Sequence, residues 1–238
     1  MLILVIPDVH LKPWIFRCCA KLVNQYSPDK TVCLMDIPDK WGTKFSVESY
    51  EQTYDAAIDF GRSYPDSLWC LGNHDIKYIC GSFDDYYSNM VAPVVTRKHR
   101  ILQRTLLDVS QMAIIHRIDN TLFCHAGLSK QYVENTIGMQ PINDVDIVIK
   151  KINEADYGEL WENENSPIWF RPLLDDSKLF QSENMLQVVG HTPVNSIIQT
   201  GNLISTDVFT ARNREGVDNK GEILLIDTIT FQAKIIEI

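Results

Sequence analysis

Five short apolar runs in this chain each end in residues that can bind a metal ion or move a proton. That recurrence constrains the fold more than any other feature of the sequence. Leu2–Ile6 ends at Pro7 and delivers Asp8 and His10, and Thr31–Met35 delivers Asp36. Ser67–Leu71 leads into Gly72, Asn73, His74 and Asp75, with Gly72 placed where the backbone must turn sharply. Thr121–Cys124 delivers His125, and Met185–Val189 delivers Gly190 and His191. Polar groups of this kind are expensive to place at the ends of buried strands for packing alone. Four of the six histidines fall at these points, and the other two, His99 and His116, read as structural.

The intervals between the runs carry helical patterns. Pro13 to Gln25 has proline in its first turn and apolar residues at helical spacing. Ser46 caps a second helix running to about Arg62. Strand, polar loop and helix in repetition predict βαβ units with right-handed crossovers and active groups at the carboxyl ends of the strands. One domain over residues 1–238 is expected, with a helical cap around 77–110. The cap rests on Tyr78, Phe83, Tyr86 and Tyr87 interleaved with Asp84 and Asp85. Met112–His116 and Thr121–Cys124 read as a hairpin about Asp119-Asn120, and residues 129–165 as helices with solvated acidic faces. Ser196–Thr200, Leu203–Thr206, Glu222–Ile226 and Thr230–Glu237 alternate in the manner of antiparallel strands that add a second sheet, and 210–221 reads as a surface loop.

With 238 residues, 45% of them apolar, the chain can bury one sizeable core. A net charge of −9 without a basic block argues against a duplex nucleic acid partner and leaves room for a small nucleotide. The apolar start Met1–Ile6 is too short for a membrane segment and has no basic leader, so a cytoplasmic, soluble protein without a membrane partner is expected. The six cysteines show no CxxC spacing and are expected to be reduced.

The residue types suit a pair of divalent cations about 3.5–4 Å apart, which can clamp a phosphoryl group and activate water. On an extended segment, Asp8 and His10 point to the same side and can hold one ion. Asp36 can bridge, while Asn73, His125 and His191 can hold the other. Mixed oxygen and imidazole donors suit manganese, with iron, zinc or nickel as alternatives.

The order Pro7-Asp8-Val9-His10, Met35-Asp36-Ile37-Pro38-Asp39-Lys40, Gly72-Asn73-His74-Asp75, His125-Ala126-Gly127 and Gly190-His191-Thr192 resembles the motif series of the calcineurin-like metallophosphoesterases. The likeness is to the branch that contains the serine/threonine phosphoprotein phosphatases, including bacterial and phage members. The resemblance implies an α/β/β/α sandwich: two mixed sheets flanked by helices, with a dinuclear metal site at the strand carboxyl ends. It implies the ligand roles given above, a metal-bridging hydroxide as nucleophile and His74 as general acid. Asp39 would orient His74 and raise its pKa, and Lys40, Arg171 and Asn73 would bind the substrate phosphate.

Two departures stand out. Lys40 replaces the family arginine, with Trp41 before Gly42, and Pro7 and Met35 stand where glycines precede the aspartates. A lysine neutralises phosphate without the planar two-point clamp. The late motif discriminates further: phosphodiesterase branches carry Gly-His-x-His, and here Pro193 cannot ligate. The expected activity is therefore a phosphatase acting on phosphomonoesters, serine/threonine phosphoprotein phosphatase-like. Its partners would be a phosphorylated protein or a small phosphoester. The alternatives are hydrolysis of dinucleoside tetraphosphates or other nucleotides, and phospho-ligand binding without turnover.

Overall fold

The computed structural model describes residues 1–40, 46–81, 88–137, 144–172, 176–210 and 221–238. Trp41, Gly42, Phe83 to Tyr87 and most of the loop at 210–221 lie outside them. Among the described residues, eleven strands form two mixed sheets. The first has the order β11-β10-β1-β2-β3-β4, built from β1 (Leu2–Ile6), β2 (Lys30–Cys33), β3 (Leu68–Cys70), β4 (Met112–Ala113), β10 (Glu222–Asp227) and β11 (Ala233–Glu237). The second has the order β5-β6-β7-β9-β8, from β5 (Ile115–Ile118), β6 (Thr121–Cys124), β7 (Leu186–Val189), β8 (Ile198–Thr200) and β9 (Leu203–Ser205).

β1 lies between parallel β2 and antiparallel β10, and Ile3 to Ile6 are fully buried, as an unbroken apolar run requires. The α-helices among the described residues are α1 (Trp14–Tyr26), α2 (Val47–Ser63), α3 (Asn73–Cys80), α4 (Ala92–Gln103), α5 (Lys130–Tyr132), α6 (Val145–Asn153) and α7 (Tyr157–Glu162). The Ser46 hydroxyl accepts the Ser49 N–H at 3.3 Å and starts α2. Phe16 of α1, Phe60 of α2 and Trp69 of β3 pack ring to ring with centroids 5.8–6.3 Å apart, fastening both helices to the first sheet. The sheets meet where the Cys70 thiol of β3 donates to the Phe123 carbonyl of β6. No helix among the described residues is long and apolar enough to cross a membrane. All six cysteines are unpaired.

Two readings of the sequence need correction. Met112–His116 is not one strand. It breaks at Ile114, leaving β4 on the first sheet and β5 on the second. Asn153 of α6 takes up the polar groups at the break: its amide oxygen accepts from Ile114 and Ile115 N–H at 3.1 and 3.0 Å, and its amide nitrogen donates to the Ile115 carbonyl at 2.9 Å. The terminal strands do not form a sheet of their own either. β8 and β9 extend the second sheet, with β9 parallel to β7, while β10 and β11 return to the first.

His99 and His116 are buried outside the clusters able to hold a metal ion. His116 Nε2–H is shared between the Trp69 and Gln111 carbonyls at 3.2 and 3.1 Å. Burial pulls both imidazoles down to about 4. The unfolded chain then takes up protons first as the pH falls. Their stabilising effect is complete above pH 6.5 and is lost between 6.5 and 4. His116→Gln keeps a donor for the two carbonyls without a proton to gain. In chelator-treated protein, wild type is expected to lose about 2–3 kcal/mol more than this variant between pH 7 and pH 4.5. Urea unfolding at the two pH values measures the difference, and equal slopes would refute it.

Candidate metal centre

The loops after β1 and β2 run side by side beyond the sheet. Val9, His10 and Leu11 N–H donate to the Met35, Asp36 and Ile37 carbonyls at 2.8–3.1 Å. This course demands left-handed backbone at His10, Leu11, Met35, Asp36 and Asp39, with φ between 41° and 65°, and His191 shares it at 60°. Such conformations cost about 1 kcal/mol or more each for residues with a Cβ, and they concentrate at functional sites. Met35 thus adopts the backbone region that a glycine would reach without strain. Asp75 pins the arrangement from below: its carboxylate accepts the Asp36, Ile37 and Gly72 N–H groups at 2.8, 3.3 and 3.2 Å. Burial pushes Asp75 up to about 8, against the pull of those donors.

Two glycines make room. A Cβ at Gly72 would overlap Asp36 Oδ1 and come within 2.9 Å of His125 Cε1. A Cβ at Gly190 would overlap Asp8 Oδ1 and lie 2.7 Å from its Cγ.

Around Asp36 the donor atoms converge. His125 Nε2 lies 3.2 Å from Asp36 Oδ2, 3.1 Å from Asn73 Oδ1 and 3.2 Å from His191 Nδ1. Ligands about 2.1 Å from one ion sit ~3.0–3.4 Å apart at tetrahedral or octahedral angles, so these spacings fit a common cation. The second partners of the rings point the same way. His125 Nδ1 donates to the Leu34 carbonyl at 3.0 Å and His10 Nδ1 to the Asp39 carbonyl at 3.1 Å, which leaves each Nε2 lone pair for a ligand. His191 Nε2 and Asp8 Oδ1 are buried without a partner among the described residues. Asp8, His10 and a residue not singled out in the sequence, Asp207, form another group, with His10 Nε2 3.8 Å from Asp36 Oδ2.

The electrostatics agree. Burial drives His10 down to about 3 and His191 well below its usual range, keeping both neutral. Burial and the adjacent Asp207 raise Asp8. Burial would also raise Asp36, but His125, His74 and His10 hold it below the ordinary carboxylate range. Burial lowers His125, yet Asp36 and Asp8 outweigh it and lift the ring to about 10. A proton there answers the negative potential that a cation would otherwise balance, and cation binding would release it.

His74 is the second residue of α3 and is half-buried, and its backbone N–H donates to Asp36 Oδ1 at 3.0 Å. Its Nδ1–H donates to Asp39 Oδ2 at 2.9 Å, turning Nε2 away from that carboxylate. Asp39 is held in turn by the Tyr50 and Tyr78 hydroxyls on Oδ1, at 2.6 and 2.9 Å, and by the buried Lys77 ammonium on Oδ2, at 2.6 Å. Burial raises Asp39, but His74 and Lys77 together bring it to about 2. Sequence reasoning missed Lys77, although a residue three positions after His74 on a helix shares its face. Lys40 follows Asp39 directly and is half-buried. Arg171 reaches the rim, donating through Nη1 to the His191 carbonyl at 2.6 Å and the Thr192 hydroxyl at 3.4 Å.

The sequence profile of the calcineurin-like phosphoesterases matches residues 1–218. This chain belongs to the calcineurin-like phosphoesterases. It is accordingly a metal-dependent phosphoester hydrolase. Comparison with curated proteins finds no match. Among solved structures, a cold-active protein tyrosine phosphatase aligns at 15% identity with a TM-score of 0.54, covering 98% of this chain and 78% of that one. A hypothetical protein, PH1004, from Pyrococcus horikoshii OT3 aligns at 12% identity with a TM-score of 0.50, covering 100% of this chain and 87% of that one. At these identities the likeness is one of fold, and this calcineurin-like phosphoesterase shares the two-sheet architecture with both.

Proposed function

We propose that the chain hydrolyses phosphomonoesters in the manner of a serine/threonine phosphoprotein phosphatase, with His74 as general acid. The supporting observation is the His74–Asp39 pair beside the converged donors: Nδ1 is engaged by the carboxylate and Nε2 is left to protonate a leaving oxygen. Asp8, His10, Asp36, Asn73, His125 and His191 would hold two divalent cations, manganese being the best match to the donors. Bound there, the ions would polarise the phosphoryl group and activate water. Arg171 would turn the part of its fork not spent on the His191 carbonyl toward the equatorial oxygens, and Lys40, which follows Asp39, would add positive charge.

The substrate is a phosphorylated protein or a small phosphoester. Rates on phosphoserine, phosphothreonine and phosphotyrosine peptides, set beside a dinucleoside tetraphosphate in manganese, test this. The tyrosine peptide is included because the chain shares its fold with a protein tyrosine phosphatase. A preference for the dinucleotide by orders of magnitude would replace the reading with nucleotide hydrolysis. His74→Asn is expected to lower turnover by about two to four decades with metal content unchanged. Loss of metal in that variant would make His74 a ligand instead.

A further inference from the structure

The resemblance implies that branches carrying Gly-His-x-His give the first ion a further donor at the second histidine, and here that position is Pro193, which has no side-chain donor to offer. The Asp8–His10 side would be left one ligand short. The fold brings another strand end to this place. β9 runs parallel to β7, and two residues beyond its last strand residue the chain presents Asp207. Asp207 is 1% exposed, and one of its carboxylate oxygens lies within 4.8 Å of ligand atoms of both Asp8 and His10. Asp207 is fixed there by the backbone: its carbonyl accepts Val194 N–H at 2.9 Å, and its Oδ1 accepts Thr210 N–H at 3.1 Å. Thr206, one residue earlier, is tied to the Val189 carbonyl through its hydroxyl at 2.9 Å, so the loop that follows β9 is locked against the loop that carries His191.

We infer that Asp207 is a ligand of the cation held by Asp8 and His10, supplying from β9 the donor that Pro193 withholds. Two carboxylates buried side by side repel each other, and a cation between them removes that cost. An independent sign is Asp8 Oδ1, which is wholly buried and without a hydrogen-bond partner among the described residues, although Oδ2 of the same group accepts the His191 N–H at 2.8 Å. With Asp207 in place, the first ion would see three carboxylates, counting Asp36, and a single imidazole. Such an oxygen-rich set favours manganese over zinc more strongly than the histidine arrangement would. The inference rests on the two-cation reading above.

Manganese titration by calorimetry, with metal content by elemental analysis after dialysis, tests both levels separately. Wild type is expected to bind two ions. Asp207→Asn is expected to bind one of them at least about tenfold more weakly while the other is unchanged. A wild type that binds no ion overturns the two-cation reading itself. Two ions held with wild-type affinity in Asp207→Asn overturn the role of Asp207 and leave that reading intact. Asp207→Cys adds a second measurement in cobalt-loaded protein. A thiolate-to-cobalt absorption band absent from wild type is expected, and a folded, cobalt-binding variant without the band refutes the ligand assignment.

Discussion

Asp36→Asn is expected to reduce hydrolysis of p-nitrophenyl phosphate by about three decades or more, and to strip metal from both halves of the site. The expectation follows from how the two carboxylate oxygens are used. Oδ1 already accepts the His74 N–H at 3.0 Å, and Oδ2 faces His125 Nε2 at 3.2 Å and His10 Nε2 at 3.8 Å. An asparagine has one acceptor oxygen and one donor nitrogen. If its oxygen stays with His74, the amide nitrogen is turned toward the cations. If the oxygen turns toward the cations, the nitrogen confronts the His74 N–H. Neither orientation restores the lost charge between the two groups of ligands. Elemental analysis of the dialysed variant, beside its rate, is the measurement. A variant that keeps two ions and near wild-type turnover would remove Asp36 from the bridging position.

Gly190→Ala should be nearly as damaging, by a different route. The added Cβ would overlap Asp8 Oδ1, and Asp8 is wholly buried with Oδ2 held by the neighbouring His191 N–H. The carboxylate has no free space to move into, so the His191 loop must move instead. A cost of about 2–4 kcal/mol is expected, together with loss of the ion that Asp8 and His10 would hold. Gly81→Ala is the control. Gly81 has a left-handed φ of 83° with no described residue near its missing side chain, so about 1–2 kcal/mol of backbone strain and full metal content are expected there. Equal metal loss in both variants would mean that general destabilisation, not the overlap with Asp8, causes it.

The ends of β1, β2, β3, β6 and β7 were legible because each apolar run is short, buried on both faces and followed at once by a polar ligand type. The parallel core was readable for the same reason. Met112–His116 misled because nothing local marks the break at Ile114; the polar groups freed there are met by Asn153, 39 residues away from Ile114 in the chain. β8 and β9 carry the same alternation as β10 and β11, and alternation does not say which sheet a strand joins. Asp207 could have been found by the rule that found the others, since it follows Leu203–Thr206 directly. It has no histidine beside it and lies beyond the motif series, which ends at His191. Lys77 escaped because its partner, Asp39, lies on a different loop. Met35 shows the reverse case: its side chain gave no hint that the backbone would take a conformation suited to glycine.

The candidate donors come from both sheets. Asp8, His10, Asp36 and Asn73 extend from the first, and His125, His191 and Asp207 from the second. Cations held among them would rivet one half of the scaffold to the other, and chelation would slacken the joint as well as stop the chemistry. Melting temperature should then climb with manganese concentration, and the two halves should come apart more readily when the ions are withdrawn.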